Sequence, residues 1–138
     1  MSYEKLTDKE FLGLIFSKGD TLGEDFLKEA KKRRDAILPQ LRNVVLDESN
    51  YQKEDEDFWG VIHAVHLLGI LEDEQGIEAL FSALKYSSKY DIDWIWEALP
   101  ECFLKIGEAS LPRLIEYLKS DEDVSKKLTI MESIWNLY

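Results

Sequence analysis

The side chains in this sequence that could bind a metal ion include two histidines three positions apart. His63 and His66 lie in an apolar stretch, and on one helix both imidazoles could reach a single metal ion. Helical metal ligands are more often four residues apart, and a site needs a third ligand. Glu101, which aligns with His66 in a later and similar segment, is the candidate. The alternative is two histidines that pack between helices or lie on the surface. We favour this alternative and predict no metal or other cofactor.

A calcium-loop spacing occurs once, near the end of the chain. The residues at ligand positions are Asp121, Asp123, Ser125 and Glu132. The sixth position of such a loop needs a glycine for its sharp turn, and Lys126 stands there instead. A cation at that position also opposes the binding of a metal ion. We therefore interpret the spacing as coincidence.

The sequence contains none of the common motifs of enzyme active sites. The sequence has no G-x-S-x-G elbow, phosphate-binding loop, H-E-x-x-H pair or G-x-G-x-x-G turn. Cys102 stands among apolar residues, where a buried and inert thiol is expected rather than a nucleophile. We predict that the protein is not an enzyme. A metal-dependent enzyme using the two histidines and Glu101 is kept as a remote alternative.

The elements that would position these residues repeat along the chain. Apolar residues with helical spacing recur after 34 residues and, going backwards, after 39 residues: Ile77, Leu80 and Leu84 correspond to Leu111, Leu114 and Leu118, and to Leu38, Leu41 and Val45. Trp59 and Trp94 correspond at an interval of 35. A repeat of this length built from paired helices is typical of an α-solenoid, because one pair cannot bury both of its apolar sides.

This repeat predicts an all-α fold, an α-α superhelix of about four helix pairs with the last one incomplete. We expect a single domain over residues 1–138, with an N-terminal capping helix in 1–19. Helix pairs are predicted at 21–47, 58–86 and 93–119, and an unpaired last helix at 124–138. Capping boxes are predicted at Thr7 with Glu10 and at Thr21 with Glu24. The segments 47–57 and 87–91 are predicted to be polar connections. Within the pair at 21–47, the break between the helices is predicted at Asp35, with Pro39 in the first turn of the second helix.

Two segments, LLGILEDEQGIEALFSALK (67–85) and LKIGEASLPRLIEYLK (104–119), resemble HEAT repeats of the short bacterial, phycobilisome-lyase-like kind. The family pattern pairs an apolar first helix and a glycine turn with a second helix of the form A-[VL]-P-x-L-x-x-x-L. Gly107, Leu111, Pro112 and Leu114 match it, whereas Glu78 replaces the usual proline in the earlier segment. The resemblance implies an uncharacterised bacterial HEAT-like family and a binding scaffold. It does not imply bilin chemistry, because a fold does not determine a function.

Composition narrows the classes of partner. Of 138 residues, 45% are hydrophobic, which excludes a disordered chain, and the formal net charge is −11. Nucleic acids and anionic membranes would be repelled by this charge, so neither is predicted as a partner. One cysteine permits no internal disulfide, and the first residues lack an apolar signal core. We expect a cytoplasmic protein.

The predicted function is a non-catalytic protein–protein interaction scaffold. Candidate contact residues are polar and aromatic positions on the repeat helices: Trp59, Ser82, Tyr86, Trp94, Glu116 and Tyr117. Of Trp94 and Trp96, which point to different sides of one helix, one is expected in the core. The last helix is expected to leave an apolar face uncovered, which would allow self-association. The alternative function is an acidic inhibitor or immunity-type protein that masks a basic enzyme surface with Glu54, Asp55, Glu56 and Asp57.

Overall fold

The computed structural model describes residues 3–17, 19, 21–120 and 124–137. These residues form eight α-helices and no strands, which confirms the all-α prediction. The helices are α1 (Asp8–Gly13), α2 (Glu24–Lys32), α3 (Arg34–Leu46), α4 (Trp59–Ile70), α5 (Ile77–Lys89), α6 (Asp93–Ile106), α7 (Leu111–Leu118) and α8 (Val124–Leu137). Short 3₁₀ segments extend or connect several of them.

The two predicted capping boxes have different outcomes. The Glu10 amide donates to Thr7 Oγ1 at 3.1 Å and the Thr7 amide donates to Glu10 Oε1 at 3.0 Å, so the first box is confirmed. The second is wrong, because α2 begins at Glu24 after Gly23, which has no side chain to cap it. Gly23 adopts a φ of +87°, a backbone conformation that favours glycine over threonine.

Pro39 lies in the interior of α3, whereas the sequence predicted it in the first turn. The break between α2 and α3 falls at Arg33, two residues before the predicted one at Asp35, so Pro39 is the sixth helical residue. A proline there frees the carbonyl four residues earlier, that of Asp35. Asp35 is exposed, so water can bond the freed oxygen.

The segment between α3 and α4 is more ordered than its polar composition predicted. It forms 3₁₀ turns at Glu48–Gln52 and Asp55–Phe58. Asn50 and Tyr51 are buried, and the Tyr51 hydroxyl donates to the Val45 carbonyl at 2.6 Å. The segment therefore packs its aromatic ring against the protein and exposes the carboxylates of Asp47, Glu54, Asp55 and Asp57.

The connection predicted at 87–91 is shorter than expected. Helix α5 continues to Lys89, and Ser87 is buried with its hydroxyl donating to the Leu84 carbonyl at 3.1 Å. The turn is made by Tyr90 and by Asp91, whose φ is +54°. Serine is tolerated inside the helix because its hydroxyl bonds a carbonyl of the preceding turn.

Helix α4 is the centre of the packing and is buried on nearly every side. It packs against α3 and α6, while α6 in turn packs against α5 and α8, and α7 packs against α8. Gly69 of α4 faces Cys102 of α6, and a Cβ built at Gly69 would lie only 2.9 Å from the Cys102 Cα. The first helices of the predicted pairs, α4, α6 and α8, are thus successive neighbours. None of the described helices is both long and apolar enough to cross a membrane.

Candidate functional site

The structure places the two histidines of α4 in different surroundings. His63 is buried, its ring stacks on Trp59 with centroids 5.9 Å apart, and its Nε2 lies 2.5 Å from the Gly19 carbonyl oxygen. A carbonyl can only accept, so Nε2 carries the proton and donates. A protonated ring nitrogen does not bind a metal ion. His63 therefore donates from Nε2 to the Gly19 carbonyl and packs its ring against Trp59.

His66 and Glu101 lie at the surface of α4 and α6. The Glu101 carboxylate pairs with Lys105 Nζ on its own helix at 3.4 Å. Surrounding protein, together with His63 and Lys105, disfavours the charged imidazole and lowers the pKa of His66, although part of the ring is exposed. Within the described ranges, no three His, Cys, Asp or Glu side chains are placed to hold a metal ion. Asp121 and Asp123 of the calcium-like spacing lie outside those ranges.

Cys102 is buried between α6 and α4. Its Sγ lies 3.5 Å from the Val65 carbonyl oxygen, and burial raises the pKa of the thiol to about 12. The thiolate, which is the reactive form, is scarce at neutral pH under these conditions. Cys102 is therefore a packing residue between α6 and α4.

Trp59 and Trp94 occupy corresponding places at the starts of α4 and α6. Their rings meet edge to face with centroids 5.3 Å apart. Trp59 is half-buried, whereas Trp94 is 62% exposed. Trp96 is half-buried and packs against the core, so of the α6 pair Trp94 is the residue on the surface.

Ser82 and Tyr117, two of the predicted contact residues, come together on α5 and α7. They line a cavity of about 300 Å³ beside Arg113. The Arg113 Nε donates to Glu78 Oε1 at 2.7 Å, and the guanidinium lies over the Phe81 ring at 4.3 Å. Glu78, which replaces the proline of the family pattern, therefore links α5 to α7 through its ion pair with Arg113.

Tyr86 and Glu116 are not brought into that cavity. Tyr86 is half-buried and packs against Tyr51, with ring centroids 5.0 Å apart. Glu116 is exposed on α7. The six predicted contact residues are thus divided among separate parts of the surface.

A second cavity, which the sequence did not predict, lies at the start of α6 and has a volume of about 410 Å³. We call it the α6 pocket. Its aromatic and acidic lining consists of Tyr51, Phe58, Tyr90, Asp91, Asp93 and Trp94. The signal for it in the sequence is weak, because these residues come from three separate segments that only the packing of α4, α5 and α6 brings together.

Four large apolar side chains are exposed along one side of α8. Val124 is 72% exposed, Leu128 59%, Met131 54% and Trp135 80%. Their spacing of four, three and four residues places them on one helix face. We call this row the α8 stripe. The expectation that the last helix leaves an apolar face uncovered is confirmed for these residues.

Comparisons with family models, curated proteins and solved structures found no match to this chain. The resemblance to HEAT repeats accordingly stays a prediction.

Proposed function

We propose that this protein is a non-catalytic, cytoplasmic interaction module built of HEAT-like helix pairs, and that it binds another protein. The observation that carries the proposal is the α8 stripe. Opposite faces of α8 differ sharply, since Ile130 and Ser133 are fully buried against the neighbouring helices while Trp135 is 80% exposed. An exposed row of large apolar side chains is typical of a protein–protein contact rather than of a solvated helix face.

The size of the stripe fits part of an interface. A tryptophan buries about 150–250 Å² when fully covered, so Trp135, which is 80% exposed, alone offers about 120–200 Å². The four side chains lie on one helix face, and the largest apolar patch on an ordinary monomer measures about 300–600 Å². A stable interface buries about 800 Å² on each partner. A partner that covers the stripe must therefore also contact polar surface around it.

The test compares two double variants, each of which replaces two exposed apolar side chains with serine. Leu128→Ser/Trp135→Ser removes the centre and end of the stripe. Leu46→Ser/Leu104→Ser, at positions 42% and 43% exposed on α3 and α6, is the control. Immobilised wild type and control are expected to retain the same identified protein from a cell lysate, and the stripe variant is expected to lose it. Retention of one set of proteins by all three forms would contradict the proposal.

Sedimentation velocity at increasing concentration identifies whether the partner is a second copy of this chain. Self-association that the stripe variant abolishes and the control preserves assigns the stripe to a homodimer. A strict monomer at high concentration, with no protein retained from the lysate, would overturn the proposed function.

An acidic inhibitor that masks a basic enzyme surface is the second candidate. Glu54, Asp55 and Asp57 are exposed in a chain of net charge −11, which favours a basic partner. Binding of this kind weakens as salt screens the charges. Substituting these three acids with amides should slow association with the captured partner. A rate unchanged by both salt and substitution would exclude this candidate.

A further inference from the structure

We propose that the α6 pocket binds a cationic side chain, a lysine or an arginine, presented by a basic segment of the partner protein. The inference rests on the proposed function, since it names the chemistry by which a protein partner is recognised. It concerns a surface separate from the α8 stripe, so the two can fail independently.

The walls of the α6 pocket are aromatic and have few alternative positions. The Tyr51 hydroxyl donates to the Val45 carbonyl at 2.6 Å, and the Tyr90 hydroxyl donates to the Glu48 carboxylate. Glu48 is itself paired with Lys89 Nζ at 2.6 Å. The Trp94 ring is supported edge-on by Trp59 at a centroid distance of 5.3 Å. Rings held in this way lose little freedom when a ligand contacts them.

Two carboxylates complete the α6 pocket. Asp91 and Asp93 are both exposed, and neither forms an ion pair with any other described residue. Lys53 is the cation of the lining, and its Nζ lies 4.8 Å from the centroid of the Phe16 ring. The lysine is thus engaged with a ring that does not line the pocket. The lining therefore carries two negative charges and one positive charge, that of an already engaged lysine.

Aromatic faces beside carboxylates select a cation over a neutral or anionic group. A cation over a tryptophan or tyrosine face gains about 0.5–1 kcal/mol at an exposed site, which corresponds to roughly a two- to fivefold change in affinity. A cavity of about 410 Å³ has room for a lysine or arginine head with part of its stem. The negative charge of the whole chain also draws a basic segment towards the surface.

The probe for the experiment is a fluorescein-labelled (Lys-Gly)₃ peptide, with (Gln-Gly)₃ and (Glu-Gly)₃ as neutral and acidic controls. Binding is followed by fluorescence anisotropy and by the indole N–H signal of Trp94 in ¹H–¹⁵N spectra, at about 50 mM salt where charge contacts are little screened. We expect only the lysine peptide to bind and to shift the Trp94 signal. Equal binding of the glutamine peptide would overturn the proposal.

Substitutions separate the α6 pocket from the general acidity of the chain. Asp91→Asn/Asp93→Asn should weaken binding of (Lys-Gly)₃ by about fivefold, and Trp94→Ala by about two- to fivefold. Asparagine tolerates the φ of +54° at Asp91, so the double variant is expected to fold. Glu24→Gln/Asp25→Asn, which removes two exposed acids from the first turn of α2, is the matched control and should change affinity less than about 1.5-fold. A loss with this control equal to that of the pocket variants would overturn the proposal.

The Leu128→Ser/Trp135→Ser variant distinguishes this inference from the proposed function. It should bind (Lys-Gly)₃ like the wild type while losing the captured partner. Capture that persists while the wild type fails to bind the peptide would refute the cation site alone. Peptide binding by a wild type that captures no protein and does not self-associate would refute the α8 interface alone.

Discussion

The contact between α4 and α6 makes a quantitative prediction for Gly69→Ala. A Cβ at Gly69 would lie 2.9 Å from both Cα and Sγ of Cys102 and 3.0 Å from its Cβ. Ordinary carbon contacts begin near 3.5 Å, so the two helices must separate by about 0.5 Å. Overpacking of this kind costs about 1–3 kcal/mol, and alanine returns about 1 kcal/mol of helix propensity. We expect a net loss of about 1 kcal/mol in the free energy of unfolding.

Gly13→Ala is the matched control for this substitution. Gly13 is the last residue of α1, and no atom lies within 4 Å of a Cβ built there. The same change should therefore be neutral or raise the free energy of unfolding by up to about 1 kcal/mol. Urea denaturation followed by circular dichroism measures both variants. The 1 kcal/mol loss at Gly69 corresponds to a decrease of about 2–5 °C in the melting temperature.

A double variant tests whether Cys102 is the residue responsible. Cys102→Ala removes the Sγ that the new methyl group would meet, and leaves the Cα and Cβ in place. Gly69→Ala should therefore cost less in the Cys102→Ala background, with a coupling of about 0.5 kcal/mol. Equal stability of Gly69→Ala and Gly13→Ala would refute the close approach of the two helices. Zero coupling would show that the cost of the new methyl group does not come from Sγ.

Three further predictions concern buried or partly buried groups. Cys102, whose thiol pKa burial raises to about 12, should react with a disulfide reagent at pH 8 only at the rate of unfolding, and at once in denaturant. Arg33→Met should destabilise the protein by about 2 kcal/mol, because Arg33 Nε donates to Glu29 Oε2 at 2.6 Å and both side chains are largely buried. The lowered pKa of His66 means that the unfolded state binds more protons, so stability should fall as pH decreases below about 6.5. His66→Gln should flatten that decrease.

Each of these predictions has a contrary outcome. Fast labelling of Cys102 in the native protein would show that the thiol is exposed. An Arg33→Met variant as stable as the wild type would show that Glu29 gains nothing from the pair. Unfolding curves between pH 5 and 7 that decline as steeply in His66→Gln as in the wild type would assign the pH dependence to other groups.

The helices were predictable where apolar spacing alone decides them. Helix α6 begins at Asp93, where the predicted helix pair 93–119 begins. The turn after α5 was misplaced, because Ser87 and Ser88 resemble a polar connection although Ser87 is buried inside the helix. Ser87 is tolerated there because its hydroxyl donates to the Leu84 carbonyl. The composition of the segment does not reveal this hydrogen bond.

The candidate sites depend more on packing between helices than on local pattern. The α8 stripe was predictable in outline, because its apolar residues recur at helical spacing within one helix. The α6 pocket was not predictable, because Tyr51 and Trp94 are far apart in the chain and line one cavity only when the 48–52 turn packs against α4 and α5. Tyr51 also stands in a polar segment that gave no reason to expect a buried ring.

Hydrogen exchange in the complex with the captured protein tests the interaction most directly. The proposal predicts that amides in the α8 segment 124–137 exchange more slowly in the complex than in the free protein, while those of α2, which carries none of the stripe, are unchanged. Equal exchange in 124–137 with and without the captured protein would contradict the assignment of the α8 stripe as its binding surface.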